Sequence, residues 1–351
     1  MRIGVDGSKI PHEDGDSAVR VLERAKALGM EGVYFRSVLD VSPTLDRGVL
    51  AETQDAAREL GLYLQMGLAK VNPYAAAEAP HVRRLGDGDY TRGMVKMIEA
   101  AHEAAGVTDL WVACANYQRG LPGYHVFDRF RTDAPWPDQL VAIEKFLRLL
   151  APAARDHGVH LNIETHEEIT SYEVVRLVEA VGPDVLGVTF DTANVVVRGE
   201  DPVAAARRVA PYTRATHLRD FVLGEQDGVF GRIFAPIGQG SLDWDAILGT
   251  LHAANPQLPL SIENAGPALH LPIGLDDPEW TAVHPDLDPV EAAAIKRMAV
   301  EFQARVDRGG SPTLSELRAA PYDGERFILD SAKALRGSLS RLGVAEEAAA
   351  R

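Results

Sequence analysis

The sequence predicts an α/β protein that folds as a closed (β/α)8 barrel of the TIM type with a C-terminal helical extension. Short apolar runs alternate along residues 1–265 with longer segments whose apolar residues recur every three or four positions. The alternation repeats eight times, and eight strand–helix units in a span of this length are typical of such barrels, which have about 250 residues. Beyond residue 265 the alternation stops.

Each strand is predicted from an apolar run that lies between two helical segments. The helical segments include "SAVRVLERAKALGM" and "QLVAIEKFLRLLAPAARDHG". Several of them end at a glycine, which tolerates the left-handed conformation found at helix ends; these are Gly29, Gly61, Gly106, Gly158 and Gly182. The eight predicted strands are Arg2–Asp6, Gly32–Phe35, Leu62–Leu68, Leu110–Ala115, His160–Glu164, Gly187–Asp191, Ala215–Arg219 and Leu260–Glu263.

An open, doubly wound sheet is the alternative arrangement of alternating strands and helices. It needs fewer strands, and its first turn usually carries a GxGxxG motif that binds phosphate. The first turn of this chain, "VDGSKIPHEDG", contains no such motif. The closed barrel over residues 1–265 is therefore preferred as the catalytic domain.

Residues 266–351 form the predicted extension. The segment begins with "GPALHLPIGLDDPEWTAVHPDLDP", which is rich in proline and aspartate and is typical of a long loop. Helical patterns follow near residues 288–307, 313–320 and 324–342. The segment is too short for a second globular core, so we expect it to pack on the barrel or on another subunit, and we expect a homo-oligomer.

The charge balance disfavours nucleic acid and anionic membranes as partners. The chain has 51 acidic and 36 basic residues and a formal net charge of −15, whereas binding to phosphate backbones depends on clustered lysine and arginine. The single cysteine, Cys114, lies in the apolar run "LWVACAN" and is predicted to be a small core residue. No apolar stretch is long enough for a signal peptide or a membrane span, and we expect a soluble, cytoplasmic protein.

Four potential metal ligands stand at the ends of the last four predicted strands. They are Glu164 in "LNIE", Asp191 in "GVTFD", His217 in "ATHLRD" and Glu263 in "LSIEN", separated by 27, 26 and 46 residues. The carboxyl ends of barrel strands converge on one mouth, so these side chains would meet. Three carboxylates and one imidazole favour one divalent metal, with Mn²⁺ first, then Mg²⁺, and Co²⁺, Fe²⁺ or Zn²⁺ as alternatives.

The alternative is that each acid only caps the helix after its strand. One acid in such a position is more often a cap than a ligand. Four in consecutive strands favour a metal, because three carboxylates packed together without a cation would repel one another and one would have to be protonated.

The sequence resembles the xylose isomerase-like superfamily of sugar isomerases and epimerases over about residues 1–265. The resemblance rests on "NIETH" at 162–166, "TFDTAN" at 189–194, "THLRD" at 216–220, "PIGQGSLDW" at 236–244 and "SIEN" at 261–264. It implies the same four metal positions and a substrate flanked by Glu164 and Glu263, which exchange its proton. It extends to the metal-dependent subunits of C-glycoside deglycosidases, which implies a second, small β-rich subunit as a possible partner.

The chain also departs from that family. Many relatives have a histidine where Asn194 stands here, and Asn194 is a candidate substrate contact. Relatives that cut DNA use extra histidine and aspartate ligands for three zinc ions, but the second and third strands here end near Arg36 and Met66 without histidine. A phosphosugar is disfavoured because no phosphate-binding nest is evident.

Further residues near the predicted mouth are candidates for substrate contact or acid–base chemistry. His166 could be a base or bind substrate, or could only support the metal ligands or cap a helix. Arg219 could bind a substrate oxygen or brace the ligands. The loop at 116–130 carries Tyr124 and His125, which could cover a glycosidic substrate or pack among themselves. His125 could also supply an additional acid or base, and Lys70, in the loop after the third strand, could contact substrate. Glu167 and Glu168 are interpreted as acids at the start of a helix.

A divalent metal between two glutamates suits proton abstraction α to a carbonyl, through an enediolate. Return of the proton gives an epimerase or isomerase acting on a keto-sugar. If a leaving group lies β to the carbonyl, the same enolate gives a lyase, such as an inosose-type dehydratase or a C-glycoside deglycosidase acting on 3-keto-glycosides. The alternative from another class is a non-catalytic sugar-binding barrel.

Overall fold

Eight parallel strands form a nearly closed barrel, as the sequence predicts. The computed structural model describes residues 1–11, 15–75, 79–114, 117–118, 120–266 and 271–344. The strands are β1 (Ile3–Asp6), β2 (Gly32–Phe35), β3 (Tyr63–Lys70), β4 (Asp109–Ala113), β5 (His160–Glu164), β6 (Leu186–Asp191), β7 (Thr213–His217), β8 (Asp220–Gln226), β9 (Val229–Ala235), β10 (Leu260–Ile262) and β11 (Leu271–Pro272).

The barrel sheet has the order β10-β1-β2-β3-β4-β5-β6-β7. It closes between β7 and β10 through the backbone of Leu218, which receives a hydrogen bond from Glu263 N (3.1 Å) and donates one to Ser261 O (2.8 Å). The predicted fourth strand ended at Ala115, which lies outside the described residues. The other seven predicted strands begin and end within about two residues of the observed ones.

The helices surround the barrel and continue beyond it. They are α1 (Ala18–Ala27), α2 (Val38–Val41), α3 (Arg47–Glu59), α4 (Pro80–Leu85), α5 (Tyr90–Ala105), α6 (Trp136–Asp156), α7 (Ser171–Val181), α8 (Pro202–Val209), α9 (Trp244–Ala254), α10 (Pro278–Ala282), α11 (Pro289–Asp307), α12 (Leu314–Ala319) and α13 (Gly324–Arg341). Gly106 ends α5 in the left-handed conformation (φ 65°), as its position before a strand predicts. None of the helices in the described ranges is long and apolar enough to cross a bilayer.

The main apolar core lies between the barrel strands and the surrounding helices. It includes Val33, Leu110 and Leu161 from the strands, all at most 1% exposed. A second cluster covers the carboxyl-terminal mouth on the side of β6 and β7, and it includes Phe221 and Trp280. This second cluster joins the barrel to the residues that follow it.

The hairpin of β8 and β9 was not predicted. It fills the insertion before the last barrel strand, and its two strands pair antiparallel from Asp220–Ala235 to Gln226–Val229. The turn consists of Asp227 and Gly228, both with positive φ (54° and 76°), which is the geometry that the right-handed twist of a two-residue hairpin requires. β11 adds a third strand beside β9.

The C-terminal helices pack on the barrel of the same chain. Phe302 of α11 lies in a small core with Val222 and Ile233 of the hairpin. In α13, Ser331 accepts a hydrogen bond from Ile237 N (3.0 Å), and the guanidinium of Arg336 donates one to Gly29 O (2.6 Å). The three predicted helices of the extension agree with α11, α12 and α13 to within about one residue at each end.

Candidate metal centre

The four predicted ligands meet at the carboxyl-terminal mouth of the barrel. Glu164, Asp191 and His217 end β5, β6 and β7, and Glu263 follows β10. One ligand atom from each of the four lies within 4.8 Å of the other three. All four are buried, with at most 5% of any residue exposed. The structure thus brings together all the residues that the sequence assigned to the metal.

A bulge in β7 places His217 in this cluster. Val188 of β6 pairs with Thr213, but its neighbour Thr189 pairs with Ala215, so one extra residue of β7 is accommodated between them. From there the register runs evenly to the pair Asp191 and His217. Side chains alternate between the two faces of a strand, and an extra residue reverses that alternation. The bulge therefore directs His217 to the same side as Asp191.

The arrangement fits a divalent cation. Carboxylate and imidazole ligands bind such ions at about 2.0–2.2 Å, so ligand atoms on opposite sides of an ion lie about 4.2 Å apart. The observed spread of 4.8 Å is close to that value. Oε2 of Glu263 is buried and has no hydrogen-bond partner among the described residues, although the guanidinium of Arg219 lies 3.4 Å away. Buried polar atoms without a partner are costly, and a bound cation would satisfy a carboxylate oxygen of this kind.

Arg219 holds two of the carboxylates. Its guanidinium forms an ion pair with Asp191, lies 3.4 Å from Glu263 and donates to Oδ1 of Asn194 at 3.0 Å. It stacks 4.6 Å above the ring of Phe234 from the hairpin. Burial raises the pKa of Asp191 to about 6 despite Arg219. The bracing role that the sequence left open for Arg219 is thus the one that the contacts describe, and its binding of substrate stays a prediction.

Arg36 makes a further contact to a predicted ligand and was not predicted as a site residue. It lies directly after β2, forms an ion pair with Glu263, and donates from Nε to Asp6 at 2.7 Å. Burial alone would raise the pKa of Glu263, but Arg219 and Arg36 outweigh it and lower that pKa to about 2. The position of Arg36 after the second strand was the signal that could have identified it.

Glu164 is held by groups from three strands or loops. The indole N–H of Trp111 donates to Oε2 at 2.9 Å, and Nδ2 of Asn194 lies 3.4 Å from Oε1. Nδ1 of His217 lies 3.2 Å from the same Oε1. Asn194 therefore contacts the carboxylate of a predicted ligand, and its predicted contact with substrate remains untested.

His166 lies between two buried carboxylates. Its Nε2 is 3.1 Å from Glu167, and its Nδ1 contacts Glu168. Burial lowers the pKa of His166, but Glu168 and Glu167 outweigh burial and raise it to about 9. This pairing shows that His166 is not a helix cap. A catalytic role for His166 stays a prediction.

The interpretation of Glu167 and Glu168 as acids at a helix start is wrong. Both are 2% exposed, and α7 begins only at Ser171, with a capping box formed by Thr170 and Glu173. Glu167 instead forms an ion pair with Arg232 of the hairpin at 3.2 Å. Because the hairpin was not predicted, its arginine was not available as a partner in the sequence-based interpretation.

Tyr124 and His125 lie beside the extension. The hydroxyl of Tyr124 donates to Asp277 at 2.7 Å, and His125 lies 4.0 Å from Glu279. The two rings pack against each other at a tilt, and both contact Phe130, Tyr124 at a tilt and His125 edge-on. This placement agrees with the packing alternative, and no contact with the four clustered residues is described for either side chain. Lys70 ends β3, with Nζ 5.7 Å from the centroid of the Trp111 ring.

Solved structures of sugar epimerases share this architecture. The chain matches L-ribulose 3-epimerase with a TM-score of 0.59 and 16% identity, covering 98% of this chain and 97% of that one. It matches 3-keto-D-glucoside 4-epimerase from E. coli with a TM-score of 0.55 and 15% identity, covering 85% and 99%. At these identities the likeness shows the fold alone.

Curated relatives match parts of the chain. A 3-oxo-isoapionate decarboxylase of Pectobacterium atrosepticum is 29% identical over 122 residues, which are 34% of this chain and 43% of that protein. An inosose dehydratase of Lacticaseibacillus casei is 26% identical over 196 residues, or 50% and 60% of the two chains. The chain thus spans less than two thirds of the length of either relative.

A family model covers most of the barrel. The model of the xylose isomerase-like TIM barrel matches residues 22–283, which include all four clustered residues and the whole hairpin. The resemblance inferred from the short motifs is therefore confirmed, and this chain belongs to the xylose isomerase-like TIM barrel family.

Proposed function

We propose that the protein is a metal-dependent enzyme that removes the proton α to the carbonyl of a keto-sugar, in the manner of an isomerase or epimerase. The observation that carries the proposal is the cluster itself. Glu164 and Glu263 lie with Asp191 and His217 within 4.8 Å, buried at the carboxyl-terminal mouth where barrel enzymes carry out their chemistry. The family to which the chain belongs supports a sugar as substrate.

The carboxylates of Glu164 and Glu263 are the proposed proton acceptor and donor. They belong to strands that are not neighbours in the barrel, so they would approach a sugar bound at the metal from two directions. Proton transfer by a positioned carboxylate contributes about 10²–10⁴-fold to a rate. A divalent cation, with Mn²⁺ preferred, would supply Lewis-acid stabilisation of the negative charge that develops on the sugar oxygens.

The remaining polar residues have proposed roles around this pair. Asp191 and His217 would complete the metal site, and Arg219 and Asn194 would keep the carboxylates in place through the contacts described above. His166, fixed between Glu167 and Glu168, would bind a substrate hydroxyl or transfer a second proton.

A lyase is the second candidate function. The similarity to inosose dehydratase over 50% of this chain favours it. The chemistry is closely related, since an enolate with a leaving group on the β carbon expels that group instead of taking the proton back. A C-glycoside deglycosidase that acts on 3-keto-glycosides is one form of this candidate, and it would require co-expression with a β-rich second subunit for activity.

Product analysis in D₂O separates the candidates. The Mn²⁺-loaded protein is incubated with ketohexoses, inososes and 3-keto-glycosides, and products are analysed by NMR and mass spectrometry. Deuterium in an epimer or isomer of the added sugar is the expected result. Loss of water or release of an aglycone, without an epimer, would assign the lyase. Binding without deuterium uptake or product would assign a sugar-binding barrel and overturn the enzyme.

Oligomeric state and partners are tested on the same protein. We expect a homo-oligomer, and light scattering measures its mass in solution. If activity appears only after co-expression with a small β-rich protein, the two-subunit deglycosidase is supported.

A further inference from the structure

A bulge near the end of β3 directs Lys70 into the barrel mouth. Gly67 pairs with Trp111 of β4, and Lys70 pairs with Ala113, so three steps along β3 match two steps along β4. In a regular strand, residues three apart face opposite sides. The extra residue cancels that reversal and puts Lys70 on the face that Gly67 and Trp111 share. Its ammonium accordingly lies over the Trp111 ring, 5.7 Å from the centroid.

Lys70 has no carboxylate partner among the described residues, although acids crowd the neighbouring site. Its one described side-chain contact is with Trp111, whose indole N–H donates to Glu164 at 2.9 Å. Bulges occur next to active sites, where they redirect a side chain. A half-buried cation that is redirected toward the mouth and left without a counter-ion is suited to receive an anion from outside the protein.

Arg36 offers a second donor beside the same strand. Its Nε binds Asp6 and its Nη2 binds Glu263, while Nη1 has no described partner, and 39% of the side chain is exposed. The backbones of β2 and β3 approach closely here: a Cβ added to Gly67 would lie only 2.1 Å from the carbonyl oxygen of Arg36. Only glycine permits this approach. Arg36 directly follows β2 and Lys70 is the last residue of β3. The two side chains therefore start from the ends of adjacent strands on one side of the metal centre.

We propose that the substrate is a sugar acid, whose carboxylate is bound by Lys70 and by the free Nη1 of Arg36 while its keto group faces the metal centre. Ionic hydrogen bonds of this kind are about twice as strong as neutral ones, and arginine suits a planar carboxylate. The net negative charge of the chain would repel an anionic substrate. The two cations at the mouth would offset that repulsion locally. The inference rests on the proposed function and specifies its substrate class.

Binding calorimetry with matched sugars tests the proposal. 5-Keto-D-gluconate and L-sorbose differ only in carrying a carboxylate or a hydroxymethyl group, and D-tagaturonate and D-tagatose are a second such pair. Each is titrated into the Mn²⁺-loaded protein, together with D-fructose 6-phosphate. We expect the acid of at least one pair to bind tenfold or more tightly than its neutral partner, and more tightly than the phosphosugar.

Variants show where the carboxylate binds. Lys70→Gln should remove most of the preference for the acid, and Lys70→Arg should restore it. Lys145→Gln removes a positive charge from an exposed position of α6 and should leave the preference unchanged. If the preference for the acid survives Lys70→Gln, the carboxylate binds the metal instead and the assignment is overturned. The assignment is also overturned if the neutral sugars or the phosphosugar bind more tightly than the acids, or if none of the five ligands binds.

Failure of this inference is distinguishable from failure of the proposed function. Deuterium uptake by neutral keto-sugars without any preference for acids would refute the sugar-acid substrate and leave the enzyme in place. Absence of Mn²⁺ binding, measured before any sugar is added, would refute the metal-dependent function itself.

Discussion

The indole N–H of Trp111 donates a hydrogen bond of 2.9 Å to Oε2 of Glu164. Trp111 comes from β4 and Glu164 from β5, which are neighbours in the sheet. The bond fixes one oxygen of the carboxylate and leaves Oε1 directed toward His217 and Asn194. Groups that orient a metal ligand in this way strengthen metal binding without touching the metal.

Replacing Trp111 by phenylalanine should weaken metal binding about 10- to 100-fold, because the ring is retained but the N–H donor to Glu164 is lost. Calorimetric titration of the metal-free variant with Mn²⁺ measures the effect. Trp244→Phe is not a suitable comparison, since its indole binds Asp220 and supports the neighbouring loop. Tyr74→Phe, at an exposed position, is the control and should bind Mn²⁺ like the wild type. Unchanged affinity in Trp111→Phe would show that the bond does not position the ligand.

The variants Glu164→Gln and Glu263→Gln should each lose tightly bound metal. An amide keeps the shape of the side chain but lacks the negative charge that a hard divalent cation prefers. Elemental analysis after dialysis against Mn²⁺ measures the bound metal per chain. Glu144→Gln, on the outer face of α6 in an exposed ion pair with Arg148, is the matched control and should retain the wild-type amount. Equal metal content in all three variants would contradict the assigned ligands.

Arg219→Met should destabilise the metal-free protein by about 3–5 kcal/mol, because it leaves the buried carboxylate of Asp191 without its cation and removes one of the two arginines beside Glu263. Urea unfolding measures the loss. Saturating Mn²⁺ should reduce the deficit, since the ion supplies the missing positive charge. Arg47→Met breaks an exposed ion pair with Glu103 and should leave the free energy of unfolding near the wild-type value with or without Mn²⁺. A deficit in Arg219→Met that Mn²⁺ does not change would contradict a metal between these carboxylates.

His284 should make the protein less stable in mild acid. Burial, and then the nearby Arg198 and Arg129, lower the pKa of His284 in the folded state. Nε2 lies 3.0 Å from Nη1 of Arg198, which is a donor, and Nδ1 lies 2.6 Å from Trp280 O, so the neutral ring satisfies both contacts. In the unfolded chain, His284 takes up a proton when the pH falls below the ordinary histidine pKa of about 6.5. In the folded chain it stays neutral.

The stabilising contribution of His284 is therefore complete above about pH 6.5 and is lost as the pH falls below that value. Each pH unit below it should cost about 1.4 kcal/mol of unfolding free energy from this group. Urea unfolding between pH 7 and pH 5 should show a shallower dependence in His284→Gln, which cannot titrate. His81→Gln, at an exposed histidine of α4, should keep the wild-type dependence. Equal slopes in His284→Gln and wild type would refute this role.

The barrel and the clustering of Glu164, Asp191, His217 and Glu263 could be predicted because they follow from local sequence. Each strand is a short apolar run, and Glu164 or Asp191 is the polar residue at which such a run ends. The turn of the hairpin, "DG" at 227–228 between two apolar runs, is a hairpin signal that the sequence contains, but no strands were predicted on either side of it. That omission led to the wrong interpretation of Glu167, whose partner Arg232 lies in the hairpin.

The two bulges could not be predicted. They depend on how β3 and β7 align with their neighbours, and that alignment is set by long-range packing and not by the composition of either strand. A regular β3 would turn Lys70 away from the mouth, so its orientation is a property of the folded barrel. The pairing of Arg36 with Glu263 is non-local in the same sense, since the two residues are 227 positions apart in the chain.

The most direct test of the account is exchange of the α proton of a keto-sugar with solvent. The Mn²⁺-loaded protein, the same protein after chelation, and Glu263→Gln are each incubated in D₂O with the sugar that binds most tightly, and proton NMR follows the signal next to the carbonyl. The account predicts loss of that signal with the Mn²⁺-loaded wild type alone. Exchange that is equally fast after chelation, or in Glu263→Gln, would contradict a metal-dependent proton abstraction by this site.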